Sequence, residues 1–190
     1  VMVFAKTARA SRSLTQQFES RQVAKTYWLL AHPRSRSVDL TVKTGLVRTG
    51  DRYRAARAGE DSPEAITHFR TLQQLENGVL VEARPATGRT HQIRVHAAER
   101  GFPILGDVLY GGRSHPRVCL HAREISFRHP ATGDTVRFEA PVDFETPAAE
   151  CLRNLMFADA RTTAFRLVHG ASDGWPGIQV DRLGDWLLVQ

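Results

Sequence analysis

The stretch Ala83-Arg-Pro-Ala-Thr-Gly-Arg-Thr-His-Gln-Ile-Arg-Val-His-Ala-Ala-Glu-Arg-Gly101, running on into Pro103-Ile-Leu-Gly-Asp107, is where a strand pattern gives way to a helix pattern. Upstream of it, Asn77-Gly78 reads as a hairpin turn into the apolar run Val79-Leu-Val-Glu-Ala83. Within it a Thr-Gly turn opens a predicted helix over Thr90–Arg100, with Gly101 as the C′ residue. Arginines at 84, 89, 94 and 100 and histidines at 91 and 96 surround an apolar spine of Ile93, Val95 and Ala97. That composition suits a helix that buries one face and aims hydrogen-bond donors at something acidic. Residues 90, 93, 94 and 97 share one side of a helix, so Arg94 borders the buried Ile93/Ala97 face. A border arginine needs a partner to offset desolvation, and a protein carboxylate, a phosphate or a base edge would each serve.

Working outward, Val1–Ala5 reads as a strand and Thr7–Arg21 as a helix, with Thr7 as N-cap and Ala10, Leu14 and Phe18 on one face. Lys25–Ala31, Val38–Val42 and Ile66–Leu72 follow as strands, and Lys43–Pro63, without periodicity, as an exposed loop or irregular hairpin. Cys119–Phe127 and Thr135–Ala140 form another hairpin. Strands outnumber helices and are mostly joined by hairpins. The predicted class is therefore α+β, a mainly antiparallel mixed sheet with flanking helices. The composition changes after about Pro147, and the expected division is a domain over 1–146, a linker helix over 147–162 and a β segment over 163–190 around a Gly-Trp-Pro-Gly turn. A first residue inside one strand and a last residue inside another lead us to expect a fragment.

The 190 residues carry a net charge of +6, and its distribution is informative. Residues 1–57 hold 12 Lys/Arg against 3 Asp/Glu, whereas residues 118–190 hold 7 against 10. A polyanion along the N-terminal side fits that asymmetry. Arginine outnumbers lysine 23 to 3, which a GC-rich genome explains as readily as phosphate binding does. No apolar run approaches a membrane span, and no secretory leader pattern is visible. Two cysteines, Cys119 and Cys151, make neither a disulfide framework nor a zinc spacing, and the expected compartment is the cytoplasm.

Other chemistries find little support. His91 and His96 lie five apart, on different helical faces, with no third ligand recognisable. There is no nucleophile elbow and no phosphate-binding glycine loop; Tyr110-Gly-Gly-Arg113 has neither the lysine nor the spacing. Tyr27, central in Lys25-Thr-Tyr-Trp-Leu-Leu30, is either a core aromatic or a platform on which a base stacks.

Taken together, Val1-Met-Val-Phe-Ala-Lys-Thr7, Lys25-Thr-Tyr27, Arg84-Pro-x-Thr-Gly-Arg-Thr-His-Gln-Ile-Arg94-Val-His96, Pro103-Ile-Leu-Gly-Asp107-x-x-Tyr110, Leu120-His-Ala122 and Phe138-x-Ala-Pro141 closely resemble the RluA-type RNA pseudouridine synthases. Order and spacing agree from residue 1 to about 144. The resemblance implies isomerisation of uridine in RNA, expected to be ribosomal, with no cofactor or metal. The target nucleotide leaves its stack, an aspartate attacks, the glycosidic bond breaks and the base rejoins through carbon. By position, Tyr27 matches the tyrosine that stacks on the uracil and is implicated in removing the C5 proton. Arg94 matches the arginine that pairs with the catalytic aspartate. Lys25, Arg89, His91 and Gln92 match RNA-facing residues of the cleft.

One departure stands out. The family's nucleophilic aspartate lies in a His-Arg-Leu-Asp-x-x-Thr-Ser-Gly block ahead of the strand expected at Val1, and no such block occurs in these residues. The 190-residue chain is therefore expected to bind RNA without isomerising it. The tail, Phe165 to Trp186, resembles the leading segment of S-adenosylmethionine-dependent ribosomal RNA methyltransferases of the PUA-linked large-subunit type. A fusion of the two in the parent protein is the expectation, and a non-catalytic RNA-binding module delivering that methyltransferase is the alternative reading. Oligomeric state is not legible in the chain.

Overall fold

In a computed structural model, residues 1–32, 37–76, 78–144, 164–169 and 177–190 are described. They fall into two compact units, Val1–Val142 and Asp143–Gln190.

The first unit opens with α1 (Ala8–Glu19), whose start is fixed by the Thr7 hydroxyl accepting the Ala10 N–H at 3.1 Å. Seven strands follow: β1 (Ala24–Ala31), β2 (Asp39–Thr49), β3 (Arg52–Ala55), β4 (Glu64–Leu75), β5 (Gly78–Pro85), β6 (Leu120–Arg128) and β7 (Thr135–Glu139). They make one sheet in the order β3-β2-β4-β5-β1-β6-β7, and every pairing is antiparallel, as the hairpin-rich sequence implied. Between β5 and β6 lie α2 (Gln92–Glu99) and a 3-10 turn, Val108–Tyr110. The second unit is a meander of β8 (Ala164–His169), β9 (Gln179–Leu183) and β10 (Trp186–Val189). The expected linker helix and most of the Gly-Trp-Pro-Gly turn lie outside the described residues, as does Asn77 of the β4–β5 hairpin.

The core sits at the centre of the sheet. Leu29, Leu30 and Ala31 of β1 are buried beside Val79, Val81 and Ala83 of β5, with Tyr27 in register with Ala83. Phe69 of β4 meets Phe102 edge to face, centroids 5.1 Å apart. Leu14 of α1 packs with Val23, Ile125 and Phe127.

Three expectations are corrected here, and one open reading is decided. Val1–Ala5 joins no strand. Phe18 is 45% exposed, and the second buried residue of α1 is Gln17. Its amide donates to the Arg128 carbonyl and accepts the Arg128 N–H, at 2.9 and 2.8 Å, closing the end of β6. Hydrophobic periodicity cannot announce a buried polar residue with partners that far along the chain. Of the two readings left open for Lys43–Pro63, the hairpin holds: β2 runs on to Thr49 and pairs with β3 around Gly50. Arg48, Arg52 and Arg54 mask the alternation there, while Leu46 and Tyr53 pack toward Ala65 and Val95.

The third correction concerns α2, which buries Gln92, Ile93, Val95, His96 and Ala97, more than one face. Its polar members can be buried because they find internal partners. The His96 ring lies 2.9 Å from the Thr67 hydroxyl and 3.2 Å from that of Thr44. The helix ends as expected, with Gly101 at φ +80° and the Phe102 N–H closing on the Ala97 carbonyl.

Candidate active site

Antiparallel pairing of β1 and β5 puts the start of one strand beside the end of the other. Lys25 and Tyr27, two apart on β1, therefore face the same side, next to the point where Pro85 leaves β5 for the turn into α2. A bulge in the β1–β6 pairing falls between Thr26 and Tyr27. Lys25, Tyr27, Arg89, His91, Arg94 and Leu120 line a cleft of about 210 Å³ in which no described lining residue is a carboxylate. A second cleft of about 440 Å³ shares Lys25, Thr87, Gly88 and Arg89 and extends to Arg21.

The turn carrying Arg89 is braced from below by Gln92. Its Oε1 accepts the Thr87 hydroxyl at 2.8 Å and the Arg89 N–H at 3.0 Å. Its Nε2 donates to the Ile66 carbonyl and the Thr67 hydroxyl, both at 2.9 Å. With two bonds accepted and two donated, the amide has no capacity left for RNA. Gln92, expected as an RNA contact, is architectural here, and being 3% exposed explains why.

Arg94 is anchored from within the chain. Its Nε and Nη2 donate at 2.7 and 2.6 Å to the two carboxylate oxygens of Asp107, a residue 1% exposed. The Arg94 guanidinium also lies 4.8 Å over the Tyr110 ring. Arg94 thus has one carboxylate within this chain, a partner besides the upstream nucleophile that the family resemblance implies for it. Asp107 fixes one edge of the fork, so Nη1 makes no bond to a described residue and belongs to a side chain lining the cleft. The hydrogen bonds to Asp107 raise the pKa of Arg94 above its ordinary value, and the cation persists at any working pH.

His91, at φ +56°, is the N-cap of α2 without capping it through its side chain. Its ring stands edge to face with both Tyr53 and Tyr110, each at 5.6 Å, and Nδ1 is 2.8 Å from the Tyr110 hydroxyl. Burial, then the nearby Arg94 cation, lower its pKa. Burial also lowers the pKa of Lys25 and raises that of the Tyr27 phenol, which stays neutral and suits stacking. Sequence reasoning missed Asp107, Tyr110 and Tyr53 as members of this site. The first two stood in a quoted motif, while Tyr53 was hidden in an arginine-rich stretch. Among the described residues, no group of three His, Cys, Asp or Glu side chains could hold a metal.

Three cations around one neutral tyrosine, on an antiparallel sheet, make a site fitted to a planar ligand with negative charge beside it. A family model for RNA pseudouridylate synthase matches residues 1–99, and the chain belongs to that family. It is 35% identical over 158 residues to the uncharacterized RNA pseudouridine synthase YlyB of Bacillus subtilis, covering 82% of this chain and 52% of that one. It is 35% identical over 156 residues to ribosomal large subunit pseudouridine synthase C of Yersinia pestis, covering 75% and 48%. Among solved structures, human RNA pseudouridylate synthase domain containing 1 superposes with a TM-score of 0.62 at 25% identity, over 73% of this chain and 62% of that one. The chain spans about half the length of these curated relatives. No helix among the described residues is long and apolar enough to cross a membrane.

Proposed function

We propose that this chain is the substrate-binding part of an RNA pseudouridine synthase acting on ribosomal RNA in the cytoplasm, with the nucleophilic aspartate supplied from residues ahead of Val1. The observation that carries the reading is the meeting of Tyr27 and Arg94, distant in sequence, on the walls of one cleft whose described lining residues include no carboxylate. In this reading a flipped uracil stacks on Tyr27, and the incoming aspartate meets the Nη1 edge of Arg94 while Asp107 holds the other edge. The N1–C1′ bond breaks, a C5–C1′ bond forms, C5 loses a proton and N1 gains one. Lys25 and Arg89, shared by both clefts, lie where the neighbouring phosphates would run. The second unit, a separate three-stranded meander, is compatible with the leading segment of a fused methyltransferase.

The test uses single-stranded RNA tritiated at uridine C5. The 190-residue chain should bind it with an affinity that falls steeply with salt, each phosphate contact adding about −0.7 to the log–log slope. It should release no tritium, whereas a longer chain carrying the upstream block should release it unless Tyr27 is changed to alanine. Tritium release by the 190-residue chain would refute the placement of the nucleophile, and salt-insensitive binding would refute the phosphate track.

A further inference from the structure

Tyr110 decides which nitrogen of His91 carries its proton. The Tyr110 oxygen lies 2.8 Å from the Tyr53 backbone N–H, a group that can only donate, so the phenol accepts there. Its other contact is His91 Nδ1, also at 2.8 Å. Were Nδ1 protonated, the Tyr110 oxygen would receive two N–H groups and its own proton would find no acceptor among the described residues. The economical arrangement is Tyr53 N–H to Tyr110 oxygen, and Tyr110 O–H to a bare Nδ1. The imidazole proton then sits on Nε2. That nitrogen has no partner among the described residues, and it belongs to a ring that lines the cleft beside Tyr27 and Arg94.

Two further features fit this state. The Arg94 guanidinium, packed over the Tyr110 ring, disfavours a second cation on His91. The left-handed backbone at His91, with its carbonyl accepting the Val95 N–H at 2.9 Å, holds the ring at the mouth of α2. Such a conformation is unfavourable for a non-glycine residue and persists where the surrounding structure holds it.

We infer that His91 is a substrate-positioning residue, locked by Tyr110 in the Nε2–H tautomer so that a neutral donor meets an oxygen of the nucleotide in the cleft. The inference rests on the cleft being a uridine site. Lys25, Arg89 and Arg94 supply charge there, and His91 supplies direction: one short, uncharged N–H that suits a uracil carbonyl or a phosphate oxygen.

The ring nitrogens can be followed by long-range proton–nitrogen correlation in the 190-residue chain at neutral pH. The free chain should show Nε2 protonated and Nδ1 bare, and Tyr110→Phe should mix the tautomers. A short oligouridine should move the Nε2 resonance. A base-free strand of the same backbone moving it equally identifies a phosphate oxygen, and a shift that needs the base identifies a uracil carbonyl. His91→Gln, whose amide nitrogen stands near the place of Nε2, should keep RNA affinity. His91→Asn, whose amide stands near Nδ1, should lose about two- to tenfold although asparagine tolerates the left-handed backbone better. An Nδ1–H ring, an Nε2 blind to RNA that does bind, or equal losses in the two variants would overturn the inference and leave the pseudouridine reading intact. Absence of RNA binding at low salt would overturn both.

Discussion

Replacing Asp107 by alanine isolates the pair on which the geometry of the cleft depends. The carboxylate is 1% exposed and the Arg94 side chain 21%, so the substitution strands a largely buried guanidinium with two of its donors unmet. Removing one partner of a buried ion pair costs about 3–5 kcal/mol. The wet edge of Arg94 argues for the lower end, about 3 kcal/mol. For a unit of this size that lowers the melting temperature by about 10 °C. Urea denaturation should show a lower midpoint with an unchanged m value, since little extra surface is exposed. Pairing Asp107→Leu with Arg94→Met removes both charges at similar volume, and most of the stability should return. Tritium release by the longer chain should not return, because nothing would then hold the incoming aspartate. A loss below about 1 kcal/mol in the alanine variant, or a double variant no more stable than it, would refute the account.

Histidine titration gives a second prediction. Burial, then Arg100, pushes His96 down to about 4 from its ordinary 6.5, so the fold holds it neutral while the unfolded chain protonates first. Its contribution is complete above pH 6.5 and is lost as pH falls toward 4, by about 3 kcal/mol in all. Stability measured across that window should flatten in His96→Asn, and an unchanged slope would count against His96 as the source. Gln92→Leu should cost about 2–3 kcal/mol by orphaning its buried partners. It should also speed amide exchange at Arg89, whose N–H Gln92 holds. At Gly112 an added Cβ would overlap the Ile104 carbonyl oxygen and press within 3.0 Å of the Asp107 backbone. Gly112→Ala should therefore cost about 1–3 kcal/mol and weaken RNA binding with it. Gly50→Ala, with open space around it, should cost only about 1 kcal/mol of backbone strain and leave binding unchanged.

The sequence by itself determined the family, the antiparallel class and most of the elements. Those follow from local rules: period-two runs at Lys25–Ala31 and Ile66–Leu72, a threonine cap at Thr7, and a glycine at 101 where the helix must stop. It also placed Tyr27, Lys25, Arg89, His91 and Arg94 in one short list, and all five line one cleft. Tertiary structure alone decided which partners the polar side chains there take. The border position of Arg94 called for a partner without saying which, and the partner found depends on the loop that carries Asp107 to α2. Gln92 looked like an RNA contact until its amide was seen bonded to strand β4 and to its own turn. Tyr53 was invisible because arginines covered its strand. The physical reason is common to all three. Periodicity and capping are short-range, whereas a buried polar atom takes whichever partner the fold brings within about 3 Å of it.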